Sequence, residues 1–99
     1  MIRHIVAWKL KAEDVEGRAR ATAEIAEALE GLQPLIPEIK AIKVSANAAY
    51  FDDNFDLVLV ADYNSVADLD AYQVHPEHQR AVAVVRERVA ARASIDFEF

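Results

Sequence analysis

The spacing of apolar residues switches repeatedly between a period of two and a period near 3.6 along this chain, and the order of those switches constrains the fold more than any single motif. Residues 2–9 place Ile2, His4, Val6 and Trp8 on one face of an extended run, and Ile5 and Ala7 on the other. From about Asp14 to Leu32 the period lengthens. Val15, Ala19, Thr22, Ala26 and Leu29 form one stripe, with Ile25 and Leu32 beside it, which predicts a helix ending near Gly31 to Pro34. Ile36-Pro37 resets the backbone, and Ile39 to Asn47 alternates as an exposed or edge strand. Asp52-Asp53-Asn54 supplies turn chemistry before a third strand from Phe55 to Tyr63. That strand carries Phe55, Leu57, Leu59 and Ala61 on one side, and Val58 and Val60 on the other. Ser65, with Asp68 three residues later, opens a short helix bearing Val66, Leu69 and Tyr72. After Pro76 a longer helix sets His78, Val82, Val85 and Val89 in line. Ala93, Ile95, Phe97 and Phe99 then alternate against Ser94, Asp96 and Glu98 in a last strand.

The resulting order is β-α-β-β-α-β, an α+β arrangement of ferredoxin-like type with a four-stranded antiparallel sheet and its helices on one face. The 99 residues are read as one domain, 1–99, whose small core hides about two thirds of the unfolded surface. Strands one and three are apolar on both faces, so one sheet face is left over. A second copy packed sheet on sheet by two-fold symmetry is the simplest cover, giving a homodimer of dimeric α/β-barrel form. An apolar fraction of 54%, with only 2 Gly and 3 Pro, agrees with more apolar surface than one small core can bury.

Composition removes several classes of function. The chain has no cysteine, hence no disulfide framework, thiol nucleophile or thiolate metal site. A charge of −6 without clustered Lys and Arg argues against nucleic acid and anionic membranes as partners. The opening residues are too short and polar for a secretion signal, and no apolar run approaches the roughly 20 residues of a membrane span. A cytoplasmic protein is the expectation.

Two of the three histidines fall in Tyr72-Gln73-Val74-His75-Pro76-Glu77-His78. Proline excludes its predecessor from the α region and suits the first helical position, so His75 and Pro76 form a structural corner. His78 falls in the first turn, where the unpaired N–H groups and positive helix end disfavour imidazolium. Tyr72 and His78 are the candidate catalytic pair. His4, Val6, Trp8, Leu57 and Leu59 are the candidate binding residues around them. His75 and His78 have a spacing known in metal sites, but His75 precedes the helix and no third ligand is evident, so neither metal nor cofactor is expected. Asp52 and Asp53 are explained by their turn. Arg80, Arg86, Arg88 and Arg92, interleaved with Glu87, read as a solvated helix face.

These segments together resemble the stress-responsive dimeric α/β-barrel family, often called Dabb. The likeness rests on His4 with its apolar run, Leu35-Ile36-Pro37-Glu38-Ile39, Phe55 to Leu59, Ser65 to Tyr72, His75-Pro76-Glu77-His78 and Ile95-Asp96-Phe97. It covers essentially the whole chain. The resemblance implies a ferredoxin-like homodimer in a functionally mixed family, which includes plant stress-induced proteins, very stable oligomers and a plant polyketide cyclase. In that cyclase the signature's tyrosine and final histidine carry an intramolecular aldol condensation, and the first-strand histidine lines the pocket. Those positions match Tyr72, His78 and His4 here. Leu57 stands where the cyclase has another histidine, and Thr22, Ala23 and Ala26 replace the aromatics of its first helix. Three readings stay open: a small-molecule binding protein, a cyclase-like enzyme acting on a polyketide or β-dicarbonyl, and a non-catalytic structural dimer. Related dimeric barrels also include monooxygenases, an analogy of fold alone.

Overall fold

The computed structural model describes residues 1–99. Its elements run β1 (Ile2–Leu10), α1 (Val15–Glu30), β2 (Ala41–Ala46), β3 (Leu57–Tyr63), α2 (Val66–Val74), α3 (Pro76–Arg88) and β4 (Val89–Glu98). The strands form one antiparallel sheet in the order β2-β3-β1-β4. This is the ferredoxin-like order with its second helical segment divided at His75-Pro76.

Strict alternation along β1 and β3 decides which side chains enter the core. On β1, Ile2, His4, Val6, Trp8 and Leu10 are buried against the helices, while the residues between them are only half-buried. On β3 the same holds for Leu57, Leu59, Ala61 and Tyr63. The register sets Val6 opposite Leu59 and His4 opposite Ala61. The opposite sheet face carries Ile5, Val58, Val60, Ile95 and Phe97, and no helix covers it. No helix in the molecule is long and apolar enough to cross a membrane.

The first helix begins where Asp14 Oδ1 accepts from Gly17 N at 3.1 Å. Its inward stripe is Ala21, Ile25 and Leu29, at intervals of four, and not the stripe that starts at Val15, which is 76% exposed. Ala19 and Thr22 would have led the helix one residue around its axis. Ile25, completely buried, is the residue that fixes the rotation. After the helix, Leu32, Ile36 and Ile39 enter the core from irregular backbone, so β2 is shorter than the alternation from Ile39 suggests. β3 likewise begins at Leu57 and not at Phe55.

The largest departure lies at the C-terminus. Helix α3 stops at Arg88, so Val89 does not continue its apolar line but opens β4. β4 includes Ala90, Ala91 and Arg92, residues with good helix propensity. Pairing explains the override: β4 follows β1 from Ile2 opposite Glu98 to Leu10 opposite Val89, with an irregularity between Lys9 and Leu10. Each added ladder pair satisfies backbone groups along β1 that would otherwise stay unpaired on that side, which outweighs a few tenths of a kcal/mol of local preference.

Candidate functional site

Four aromatic or imidazole side chains meet beneath the turn from α2 into α3. Ser65 starts α2 by accepting from Asp68 N at 3.1 Å, and Leu69 and Tyr72 form its buried face. Val66, which the spacing placed with them, is 56% exposed. His75 takes extended backbone angles (φ −64°, ψ 135°), as a residue before proline must, and serves both helices. Its N–H donates to Tyr72 O at 3.2 Å, and its Nδ1 accepts from Glu77 N at 3.1 Å. Pro76 occupies the first turn of α3. The corner thus delivers Tyr72 from the end of one helix and His78 from the start of the next to the same place.

The Tyr72 and His78 rings lie 4.1 Å apart between centroids. Tyr63, at the end of β3, packs on the other side of Tyr72 at 5.1 Å, and His4 approaches its edge at 6.4 Å. All four side chains are buried. His78 Nδ1 faces Gln73 O at 3.1 Å, so it carries the proton and leaves Nε2 with a free lone pair in the neutral ring. Gln73 O also accepts from Gln79 Nε2 at 2.7 Å, which satisfies an orphan carbonyl at the end of α2. On β1, His4 Nδ1 is hydrogen-bonded to the carboxylate of Asp96, its register partner on β4. That bond fixes the His4 ring.

Burial sets the protonation states. It is the main force holding His78 below the ordinary imidazole range, with repulsion from His4 and His75 adding to it and the Gln73 carbonyl opposing. Burial likewise pushes Tyr72 up to about 12, against a smaller opposing effect of Tyr63, and drives Tyr63 higher still. The two hydroxyls are close enough to influence each other's ionisation, yet neither has a hydrogen bond of good geometry. At neutral pH the cluster therefore presents protonated phenols beside a neutral imidazole, a donor and an acceptor side by side.

A cleft of about 380 Å³ opens onto this pair between α3 and the sheet. His4, Val6, Trp8, Leu59, Tyr72 and His78 line it. Leu57 does not. It is buried opposite Trp8 in the register, part of the core and not of the cleft wall. Val82, Val85 and Leu29 complete the apolar side, and Arg86 and Arg92 stand at the margin. The expected solvated arginine face is accordingly divided: Arg88 binds Glu24 at 2.6 Å, Arg80 pairs with Glu77, and Arg92 belongs to β4. No group of three or more His, Asp or Glu side chains gathers to hold a metal ion.

Sequence reasoning missed Tyr63 and Asp96. Tyr63 shares the parity of Leu57, Leu59 and Ala61, so its inward direction was legible, whereas its contact with Tyr72 needed the helix position. Asp96 meets His4 only through the β1–β4 register.

Comparison with known proteins agrees with this architecture. The model of the stress responsive A/B barrel domain matches residues 2–99. A dimeric protein of unknown function with a ferredoxin-like fold from Bacteroides fragilis is 30% identical, with a TM-score of 0.88 over 99% of this chain and 95% of its own. A dimeric ferredoxin-like protein of unknown function from Thermobifida fusca is 28% identical, with a TM-score of 0.79 over 99% and 90%. A hydroxynitrile lyase from Passiflora edulis shares the fold at 19% identity, with a TM-score of 0.74 over 97% and 90%. None of the curated proteins matches the chain in sequence.

Proposed function

This chain belongs to the stress-responsive A/B barrel (Dabb) family, and from that premise we propose that it is a homodimer that binds a small apolar or aromatic molecule in the cleft between α3 and the sheet. The observation that carries the reading is the cleft itself, apolar along Val6, Trp8, Leu59, Val82 and Val85 and ending on Tyr72 and His78. Concave, mostly apolar sites with a few convergent polar groups are where small ligands bind. Pairing through the open sheet face leaves this cleft free, because the two lie on opposite sides of the sheet. The dimeric description of the Bacteroides and Thermobifida relatives supports a homodimer.

Trp8 is the chain's single tryptophan and stands in the cleft wall, so its fluorescence reports occupancy. Titration with 4-phenylbutanamide should change it saturably. Val82→Phe, which fills the cleft from α3, should abolish the change while leaving the fold intact by circular dichroism. An unchanged signal with the native protein, or an equal response from Val82→Phe, overturns the reading.

The contact between Tyr72 and His78 favours a second reading, a cyclase-like enzyme closing a ring in a linear polyketide or β-dicarbonyl. His78, neutral through burial, takes the α-proton of one carbonyl. The carbanion attacks a second carbonyl of the same molecule, a carbon–carbon bond forms, and Tyr72, still protonated at neutral pH, donates to the oxygen that becomes negative. Tyr72 keeps its proton and only hydrogen-bonds to that oxygen, and the proton His78 took from carbon passes to it, so His78 ends neutral and no oxidant or cofactor is consumed. Loss of either group should lower turnover about 10²–10⁴-fold. Turnover that survives both Tyr72→Phe and His78→Ala excludes this chemistry for the pair.

A further inference from the structure

The cleft is electrostatically unlike the rest of the molecule. The chain has 17 Asp and Glu against 11 Lys and Arg, yet none of the 14 residues lining the cleft is acidic, and two are arginines. Both arginines are free of carboxylates. Around them, Arg80 is taken by Glu77, and Arg88 by Glu24 and Glu87. Arg86, in the last turn of α3, makes no hydrogen bond or ion pair, and Arg92, opposite Trp8 on β4, donates only to the neutral Ser94 Oγ at 3.3 Å. Of the two carboxylates on the same face of β4, Asp96 is engaged by His4 Nδ1, and Glu98, opposite Ile2 near the far end of the strand, does not line the cleft. Two unneutralised guanidinium groups thus border an apolar cavity on a protein of net charge −6.

We propose that the cleft selects a small organic carboxylate: an acid with an aromatic or branched apolar body whose head is held at the margin by Arg86 and Arg92. The inference rests on the cleft-binding reading and adds the charge of the ligand to it. Guanidinium groups match carboxylates through paired N–H donors, and a single negative charge leaves the body apolar enough for the Val82 and Val85 wall. With the head at the mouth, the body of the acid extends toward Tyr72 and His78. Arg86 and Arg92 are exposed, so they set affinity without contributing to the core.

The test compares 4-phenylbutanoate with 4-phenylbutanamide, which share a body and differ in charge, using Trp8 fluorescence. The carboxylate should bind the native protein about tenfold more tightly, and added salt should narrow the difference. In the Arg86→Gln/Arg92→Gln variant the two probes should bind alike, the carboxylate having lost its tenfold advantage over the amide. Equal affinities for the native protein, or a carboxylate preference that persists in the variant, overturn the inference while leaving the cleft as a binding site. Absence of any response to either probe overturns the cleft reading and the inference together.

Discussion

The two faces of the sheet solve opposite problems with side chains from the same strands. On the covered face, β1 and β3 bury His4, Val6, Trp8, Leu59 and Tyr63 under the helices, where His4 is held by Asp96 and both His4 and Tyr63 pack against Tyr72. On the open face, Ile5, Val60 and Ile95 stand side by side in the register, and Ile95 is 61% exposed. There the one strong polar interaction joins the two central strands near one end of the sheet, where Arg3 reaches Asp62 by bonds of 2.8 and 3.0 Å while sitting 4.3 Å from the centre of the Phe99 ring. The contrast lies in how the same strands place polarity: on the covered face buried imidazole and phenol groups contact one another, and on the open face the middle is apolar. The His and Tyr cluster is inside, while Ile5, Val60 and Ile95 form an apolar middle of the open face with Arg3, Asp62 and Lys43 around it.

If the open face is an interface, one charge in its middle should have the largest effect of any change considered. Ile5→Asp is expected to convert the dimer to a monomer by light scattering, because an unpaired carboxylate would be buried between the sheets. A native protein that is already monomeric at micromolar concentration would break the comparison outright.

Neighbouring residues on β3 sharpen it next. Leu59, 2% exposed and facing the helices, should lose about 2–5 kcal/mol on truncation to alanine. Val60, one residue away on the open face, should cost the isolated subunit under about 1 kcal/mol on the same truncation and act instead on dimer affinity. Chemical denaturation at several protein concentrations separates the two.

The covered face should also impose a pH dependence. The unfolded His78 titrates near its ordinary 6.5, whereas burial lowers the folded value, so below that pH the unfolded state binds more protons and stability falls with acidification. Above it His78 is neutral in both states and contributes no slope. His78→Gln should flatten the denaturation midpoint between pH 7 and the acid limb, and an unchanged slope would show that His78 is not held neutral. The smallest effect is expected at the Tyr72 hydroxyl. Because it is buried without a well-formed partner, Tyr72→Phe should leave stability unchanged or raise it by up to about 1 kcal/mol, while impairing any turnover. A loss of more than that would mean that the hydroxyl bonds to Tyr63 after all.

The element order, the inward faces of β1 and β3, the capped start of α2 and the corner at His75-Pro76 are legible in the residues alone. These are local consequences of parity, of side chains bonding to adjacent backbone, and of the proline ring, so a short window of residues is enough to specify them. Tertiary structure decided the rest. The rotation of α1 follows from Ile25 fitting the sheet, since its small and aliphatic residues offer several stripes of similar quality. The length of β4 follows from its ladder with β1, against the helix propensity of Ala90 to Arg92. Leu57 was drawn into the core and out of the cleft wall by its place along β3. The meetings of Asp96 with His4, and of Tyr63 with Tyr72, join residues distant in the chain through register and helix packing. Such contacts depend on where whole elements come to rest, and that is set by the summed burial of the core and not by any pattern within one element.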